Sequence, residues 1–262
     1  MTNSYSDRPL FWALGALWGS FFLLILLGWV YLYLTSPAYD GAATFGALDV
    51  TFSWAAHSPP TWQSIFLMWG AMALAMMVPT LVPMLSTLFG LTYGKPGCAG
   101  AIAGFIAGYV LVWLGFALIA STAQVALYQV GWVDALGLAI GPGLTLILLT
   151  FAGLYQFSKW KQACLRSCQA PMMFFMSNWR DGLRGAIEMG GLHGLICVGC
   201  CWALMALGFV GGAMNLIWMG IATLMMILEK MPGVGTYVSP VIGCILLGLS
   251  LAYGVHIFIN EF

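Results

Sequence analysis

Three cysteines within five residues form the densest group of potential metal ligands in the chain. They are Cys197, Cys200 and Cys201, and His193 precedes Cys197 by one helical turn. At about 100° per residue, these side chains fall on one stripe of a helix, with Cys201 at the edge of the stripe. Thiolate sulfur and imidazole nitrogen form a soft donor set that suits Cu(I), zinc or an iron–sulfur centre. The cluster predicts a metal site, although a single buried cysteine is usually an apolar core residue.

A second pair of cysteines comes earlier in the chain. Cys164 and Cys168 are four residues apart, so they share a face if the segment is helical. Lys161 and Arg166 lie close by in sequence, and nearby positive charge favours the thiolate form of cysteine. The spacing is not the CxxC of a thioredoxin-type redox centre. Two interpretations stay open: a pair that exchanges a soft metal with other ligands, and two ordinary reduced thiols in a cytosolic loop.

Methionines supply further soft donors. Met68, Met72 and Met76 recur every four residues, which places them on one helical face, and Met77 follows directly. Methionine also fills gaps in apolar cores, so such rows often reflect packing alone. The candidate thioether ligands are Met76, Met77 and Met205.

Glu229 and Lys230 stand at the inner end of an apolar run. Lys230 is predicted to snorkel to the membrane interface. Glu229 must be paired or near water at membrane depth, so it is a candidate proton acceptor or ligand. His57 and His256 have no second donor close in sequence and are predicted to be structural. The complete set of predicted metal ligands is Cys197, Cys200, Cys201, His193, Cys164, Cys168, Met76, Met77, Met205 and Glu229, and no catalytic or organic cofactor-binding residue is predicted.

The composition predicts that these residues lie in a membrane. Of 262 residues, 62% are hydrophobic and 6% are charged, with a mean hydropathy of +0.96. Soluble domains carry about 25% charged residues. The formal net charge is zero and the basic residues form no stripe, so nucleic-acid binding is excluded. The predicted fold class is an all-α, polytopic transmembrane helix bundle, with the lipid bilayer as its surroundings.

Uncharged runs predict about seven spans within a single integral membrane domain of residues 1–262. The predicted helices cover residues 10–34, 62–89, 98–128, 142–157, 185–209, 214–231 and 238–259. Residues 158–184 are predicted to form a basic connection, part of which lies along the membrane interface. Pro79 and Pro83 are predicted to bend or loosen the second helix.

The distribution of basic residues predicts the orientation. With seven spans and a cytoplasmic N-terminus, all eight lysines and arginines lie on the cytoplasmic side, and the C-terminus lies outside. The first apolar run is too long for the core of a cleaved signal peptide. The predicted location is therefore the inner (plasma) membrane of a bacterium, in multi-pass form.

Three parts of the sequence resemble a known family. They are the runs GLHGLICVGCCWALM and MWGAMALAMMVP, and the series Tyr155, Lys161, Cys164, Cys168 and Pro171. Together they resemble a domain-of-unknown-function family described as predicted metal-binding integral membrane proteins. The resemblance extends over residues 69–230, and GCCW is its most specific part. Gln169 stands where the family pattern has arginine. The resemblance implies a polytopic bacterial membrane protein with a metal site and implies no established reaction.

These features predict a protein that binds copper, as Cu(I), and moves it across the membrane or delivers it to a membrane cuproenzyme. The predicted route runs from the cytoplasmic cysteine pair, through the mid-membrane cysteines, to methionines toward the outside. Zinc is the alternative metal. The sequence has no GxxxxGK phosphate loop, which excludes an ATP-driven pump in one chain. The residues favour a non-enzymatic role over two alternatives: a membrane thiol or metal oxidoreductase, and an accessory subunit that packs against other membrane subunits.

Overall fold

A computed structural model describes residues 19, 22–23, 25–33, 61–134, 137–213 and 215–261. Residues 10–18 of the predicted first helix lie outside the described residues. The predicted outer loop at 35–61, with His57, also lies outside them except for Thr61.

The described residues are built from helices. A first helical stretch, α1, covers residues 25–33. It is followed by α2 (Trp62–Met77), α3 (Val82–Thr92), α4 (Cys98–Gln129), α5 (Pro142–Gln156), α6 (Lys159–Gln169), α7 (Pro171–Asn178), α8 (Gly182–Ala206), α9 (Gly208–Gly211), α10 (Leu216–Lys230) and α11 (Gly235–Glu261). Within these ranges the extended pairing is limited to an isolated bridge between Val133 and Ala139. The all-α prediction is therefore confirmed for the part of the chain that the structure describes.

Among the described residues, four helical segments are long and apolar enough to cross a membrane. They are Trp62–Thr92, Cys98–Gln129, Gly182–Gly211 and Gly235–Ile259. α5 and α10 each have 15 residues, which is shorter than the roughly 20 residues that a span requires. The prediction of about seven spans is therefore not confirmed, because two of the predicted spans correspond to these short helices.

Prolines interrupt the second predicted helix, as expected. α2 ends at Met77, a 3-10 turn covers Pro79–Leu81, and α3 then begins. Proline lacks the N–H that a continuous helix needs and its ring clashes with the preceding turn. Thr80 lies in this break and is partly buried, and its hydroxyl donates to the Met77 carbonyl at 2.7 Å.

The basic connection at 158–184 contains two helices that pack against the core. Ser158 caps α6, because its hydroxyl accepts a hydrogen bond from the Lys161 N–H at 3.1 Å. The buried faces of α6 and α7 include Leu165, Phe174 and Phe175. α6 packs directly on α8, so this segment contributes to the surroundings of the cysteine-bearing helix.

The position of α8 depends on its close crossing with α4. A Cβ added at Gly190 would overlap the carbonyl oxygen of Phe105 on α4, and one added at Gly108 would overlap that of Ile187 on α8. Glycines at such crossings allow two helix backbones to approach each other closely. The crossing therefore holds one face of α8 firmly against the core.

This crossing predicts unequal effects at two neighbouring glycines. Gly190→Ala should destabilise the protein by about 1–3 kcal/mol, because overpacking forces the two helices apart. The measurement is the midpoint of heat-induced loss of monodisperse protein in detergent. Gly191→Ala is the control, since the nearest atom to its Cβ would be 3.9 Å away. Equal midpoints for the two variants would contradict the proposed close packing.

Candidate metal centre

α8 directs one face into the core. His193, Cys197, Cys200 and Cys201 are 3%, 0%, 1% and 1% exposed. Residues three and four positions apart on a helix share a face. The stripe expected from sequence is therefore observed as one buried surface of α8.

The three thiols form a compact group, here named the three-thiol cluster: Cys197, Cys200 and Cys201. Their sulfur atoms lie within 4.8 Å of one another, and those of Cys200 and Cys201 are 3.2 Å apart. Two sulfurs that each bind one metal at about 2.3 Å are separated by about 4 Å. Small side-chain rotations would thus place all three around one soft ion. All seven cysteines of the chain are free thiols.

Two polar groups contact the sulfur of Cys197. The Lys230 ammonium donates to this sulfur at 3.0 Å. The Tyr109 hydroxyl lies 3.0 Å from it and also donates to the Met77 carbonyl at 3.1 Å. An ammonium group beside sulfur stabilises the thiolate form. Cys197 is therefore the member of the cluster best suited to carry negative charge.

The position of Lys230 differs from the sequence prediction. Lys230 is only 7% exposed, and its ammonium donates to the Thr80 hydroxyl at 2.7 Å as well as to the Cys197 sulfur. The prediction of interfacial snorkelling is wrong. The physical reason is that the proline break and the thiol supply internal partners, and a buried charge requires such partners.

Glu229 forms a separate ion pair. Its carboxylate oxygens accept hydrogen bonds from the Lys161 ammonium at 2.9 and 2.8 Å, and both side chains are 1% exposed. The Gln169 side chain donates to the Glu229 main-chain carbonyl at 2.6 Å. Glu229 is thus paired, as a buried carboxylate must be, and both of its oxygens face Lys161. The structure does not bring it into the three-thiol cluster.

His193 lies among aromatic rings. Its ring stacks against those of Phe105 and Tyr109, with centroids 5.9 and 5.7 Å apart. Its Nδ1 has no hydrogen-bond partner among the described residues, although buried nitrogens of this kind are usually bonded. The histidine is outside the group of sulfurs that lie within 4.8 Å of one another. It contacts the site through Tyr109, and its free nitrogen is compatible with a role as an additional donor.

The thiols of α6 face the three-thiol cluster. At Gly199 an added Cβ would lie 2.9 Å from the Cys164 sulfur, so this sulfur sits directly against α8. The thiol of Cys168 interacts with that of Cys200. The predicted shared face of Cys164 and Cys168 is observed, and this face of α6 packs towards α8, which carries the three-thiol cluster.

The predicted activation of Cys164 by basic neighbours is wrong. Burial raises the pKa of the Cys164 thiol above its ordinary value, and the charge of nearby Cys197 raises this pKa further. Lys161 turns away to pair with Glu229. Cys164 therefore remains a neutral thiol until a metal or a base removes its proton.

The predicted methionine ligands are buried in the same core as the cysteines. Met76, Met77 and Met205 are 1%, 0% and 1% exposed. Met77 reaches the site through its main-chain carbonyl, which binds the Tyr109 hydroxyl. Coordination by the methionine sulfurs stays a prediction.

Sequence reasoning missed two residues that shape the site, Tyr109 and Thr80, and misplaced a third, Lys230. Tyr109, Thr80 and Lys230 come from three different elements and contact one another or Cys197. Tyr109 and Thr80 carry no spacing signal, since each is a single polar residue in an apolar run. For Lys230 the available signal was its place at the end of an apolar run. A lysine at such a place fits a position at the membrane interface as well as it fits a buried one.

In the part of the chain that the structure describes, apolar helices enclose a group of three thiols with the donor chemistry of a soft-metal site. The chain belongs to the PpoB2 family, described as copper chaperone, whose family model matches residues 66–253. The match covers more than two thirds of the chain. No curated protein and no solved structure matches it. The family and the three-thiol cluster together support a copper-related function. This is more specific than the general metal binding that the sequence resemblance implied.

The buried ion pair predicts a large effect of a small substitution. Glu229→Gln should destabilise the protein by about 3–5 kcal/mol, because it leaves the Lys161 ammonium buried without a counter-charge. The thermal midpoint in detergent measures this change. Glu188→Gln is the control, since Glu188 pairs with two exposed arginines and such surface pairs contribute little.

The double variant Lys161→Met/Glu229→Leu tests the same explanation. It should recover most of the lost stability, because it removes both buried charges. A midpoint as low as that of Glu229→Gln would contradict the explanation.

Proposed function

We propose that this protein is a membrane-embedded copper chaperone that holds Cu(I) at Cys197, Cys200 and Cys201 and passes it to a copper enzyme. One observation carries the proposal: three free thiols lie within 4.8 Å of one another in the core of a chain from a copper chaperone family. Soft thiolate ligands select Cu(I) over hard cations such as magnesium or calcium.

The number of ligands favours copper over zinc. Structural zinc sites are almost always four-coordinate. The cluster offers three sulfurs, and His193 lies outside it. A soft monovalent ion with two or three sulfur donors fits the three-thiol cluster alone, whereas zinc would also have to draw in a donor from beside the cluster, such as His193 or Cys168.

Lys230 supports the binding of a positive ion by thiolates in an apolar core. Thiolate ligands bring negative charge, and a buried negative charge is unfavourable without a partner. The Lys230 ammonium at 3.0 Å from Cys197 provides one positive charge at the site. Cu(I) supplies a second positive charge, so the two cations together balance two of the three thiolates.

The proposed location is the inner membrane of a bacterium, with the N-terminus in the cytoplasm and the C-terminus outside. The four candidate spans among the described residues support an integral membrane protein, whereas the proposed orientation rests on the distribution of basic residues about the seven spans predicted from sequence. The proposed partner is a membrane copper enzyme that accepts the ion. Met76, Met77 and Met205 are proposed as weaker donors that favour release, since thioethers are soft but carry no charge.

The proposed site predicts copper in the isolated protein. Protein purified in detergent under reducing, anaerobic conditions should carry about one copper ion per chain by elemental analysis, as one group of three thiols holds one ion. The variant Cys197→Ser/Cys200→Ser/Cys201→Ser should carry none. Cys244→Ser is the control, because Cys244 is an exposed thiol on α11. Equal copper in the triple variant and the wild type would contradict the site, and folded wild-type protein without any metal would contradict the function.

Removal of the lysine charge should weaken copper binding. In Lys230→Met the Cys197 thiolate loses a charged hydrogen bond that contributes about 1.5–3 kcal/mol. The Cu(I) dissociation constant should therefore rise roughly tenfold to hundredfold. Competition against a Cu(I) chelator with a colour change measures it, with the exposed Lys95→Met as control. An unchanged dissociation constant would show that Lys230 is only a packing residue.

A further inference from the structure

Two thiols lie on α6, a helix that packs against α8, and both are less buried than the three-thiol cluster. Cys164 is half-buried, Cys168 is 7% exposed and Cys200 is 1% exposed. Burial thus increases from one thiol to the next along this series. The Cys164 sulfur rests against α8 at Gly199, and the Cys168 thiol interacts with that of Cys200.

Gly199 makes this contact between the two helices possible. A Cβ at this position would lie 2.9 Å from the Cys164 sulfur, closer than ordinary side-chain contacts. Tyr155 lies on α5, which is a further neighbour of α8. Its hydroxyl donates to the Gly199 carbonyl at 2.5 Å and holds the backbone in place. Gly199 therefore leaves a gap in the surface of α8, here named the notch, and the Cys164 thiol of α6 lies in this gap.

We propose that Cys164 and Cys168 form an exchange port, through which Cu(I) enters and leaves the three-thiol cluster one ligand at a time. The inference rests on the proposed function, because it assumes copper at the cluster. It adds the path of the ion: from solvent to Cys164, then to Cys168, then to Cys200. The notch at Gly199 keeps the first thiol within reach of the others.

Each step of this path is a ligand exchange at copper. A Cu–S bond to the next thiol forms before the Cu–S bond to the previous thiol breaks. The incoming thiol gives up its proton and the departing thiolate takes one up, so the charge at the metal is unchanged. The ion stays Cu(I) throughout, and no electron is transferred.

Copper removal in detergent tests the exchange port. Wild-type protein loaded with Cu(I) is mixed with excess bathocuproine disulfonate, a water-soluble Cu(I) chelator, and the coloured complex is followed with time under anaerobic conditions. Cys164→Ser should slow removal by about tenfold, as expected when a step of the path loses its ligand and the barrier rises. Its copper content at equilibrium should equal that of the wild type.

Gly199→Ala tests the path while all cysteines are retained. The added methyl group should displace the Cys164 sulfur and slow removal to a similar extent. In the Cys164→Ser background the same substitution should add little, because both changes act on one contact. Gly220→Ala and Cys244→Ser are the controls, since Gly220 has open space around it and Cys244 lies on α11.

The possible results of these experiments distinguish a failure of the exchange port from a failure of the proposed copper-binding function. Wild-type rates in Cys164→Ser and Gly199→Ala, with normal copper content, would overturn the port and leave the three-thiol cluster intact. Loss of copper at equilibrium in Cys164→Ser would also overturn it, because Cys164 would then be a ligand of the resting site. Wild-type protein that holds no copper would overturn the proposed function together with the port.

Discussion

The contact between the Lys230 ammonium and the Cys197 sulfur is the interaction on which the site depends. It is 3.0 Å long and lies in a core of apolar side chains. A buried ammonium is strongly unfavourable unless anionic or polar groups surround it. Cys197 and Thr80 are those groups. The proline break that exposes Thr80 and the α8 face that carries Cys197 are therefore both required to keep this lysine inside.

Glu229, the residue before Lys230, ties the end of α10 to a second helix, α6. Glu229 binds Lys161 on α6, while Lys230 binds Cys197 on α8. Two consecutive residues at the end of α10 thus hold two different helices, and this fixes α6 beside α8. The position of the Cys164 sulfur against α8 at Gly199 follows from that arrangement. A buried ion pair is weak evidence for stability, so its role here is to specify which helices meet.

Sequence spacing predicted what belongs to a single helix and failed for what depends on neighbours. The buried stripe through His193 and Cys200 follows from the 3.6-residue period, as does the shared face of α6. The period does not reveal which helix a face meets, so the packing of the α6 cysteines towards the three-thiol cluster was only one of several possible arrangements. Lys230 was misplaced for a related reason: a lysine after an apolar run fits water at an interface and a buried partner equally well. The span count was not confirmed, because apolar segments of 15 residues look like short spans in sequence.

The depth of the cluster determines how a chaperone of this kind can release its cargo. The three thiols are at most 1% exposed, so a copper ion held there has no direct contact with water. An ion without ligands is highly unfavourable in an apolar core, and it cannot leave as a free ion. It must pass between donor atoms that are already in contact. In the proposed chaperone, the three-thiol cluster sets the affinity for copper, and the donors next to it set the rate of delivery. A chain can combine tight binding with useful transfer only if both sets are present, and the packing of α6 on α8 brings them together.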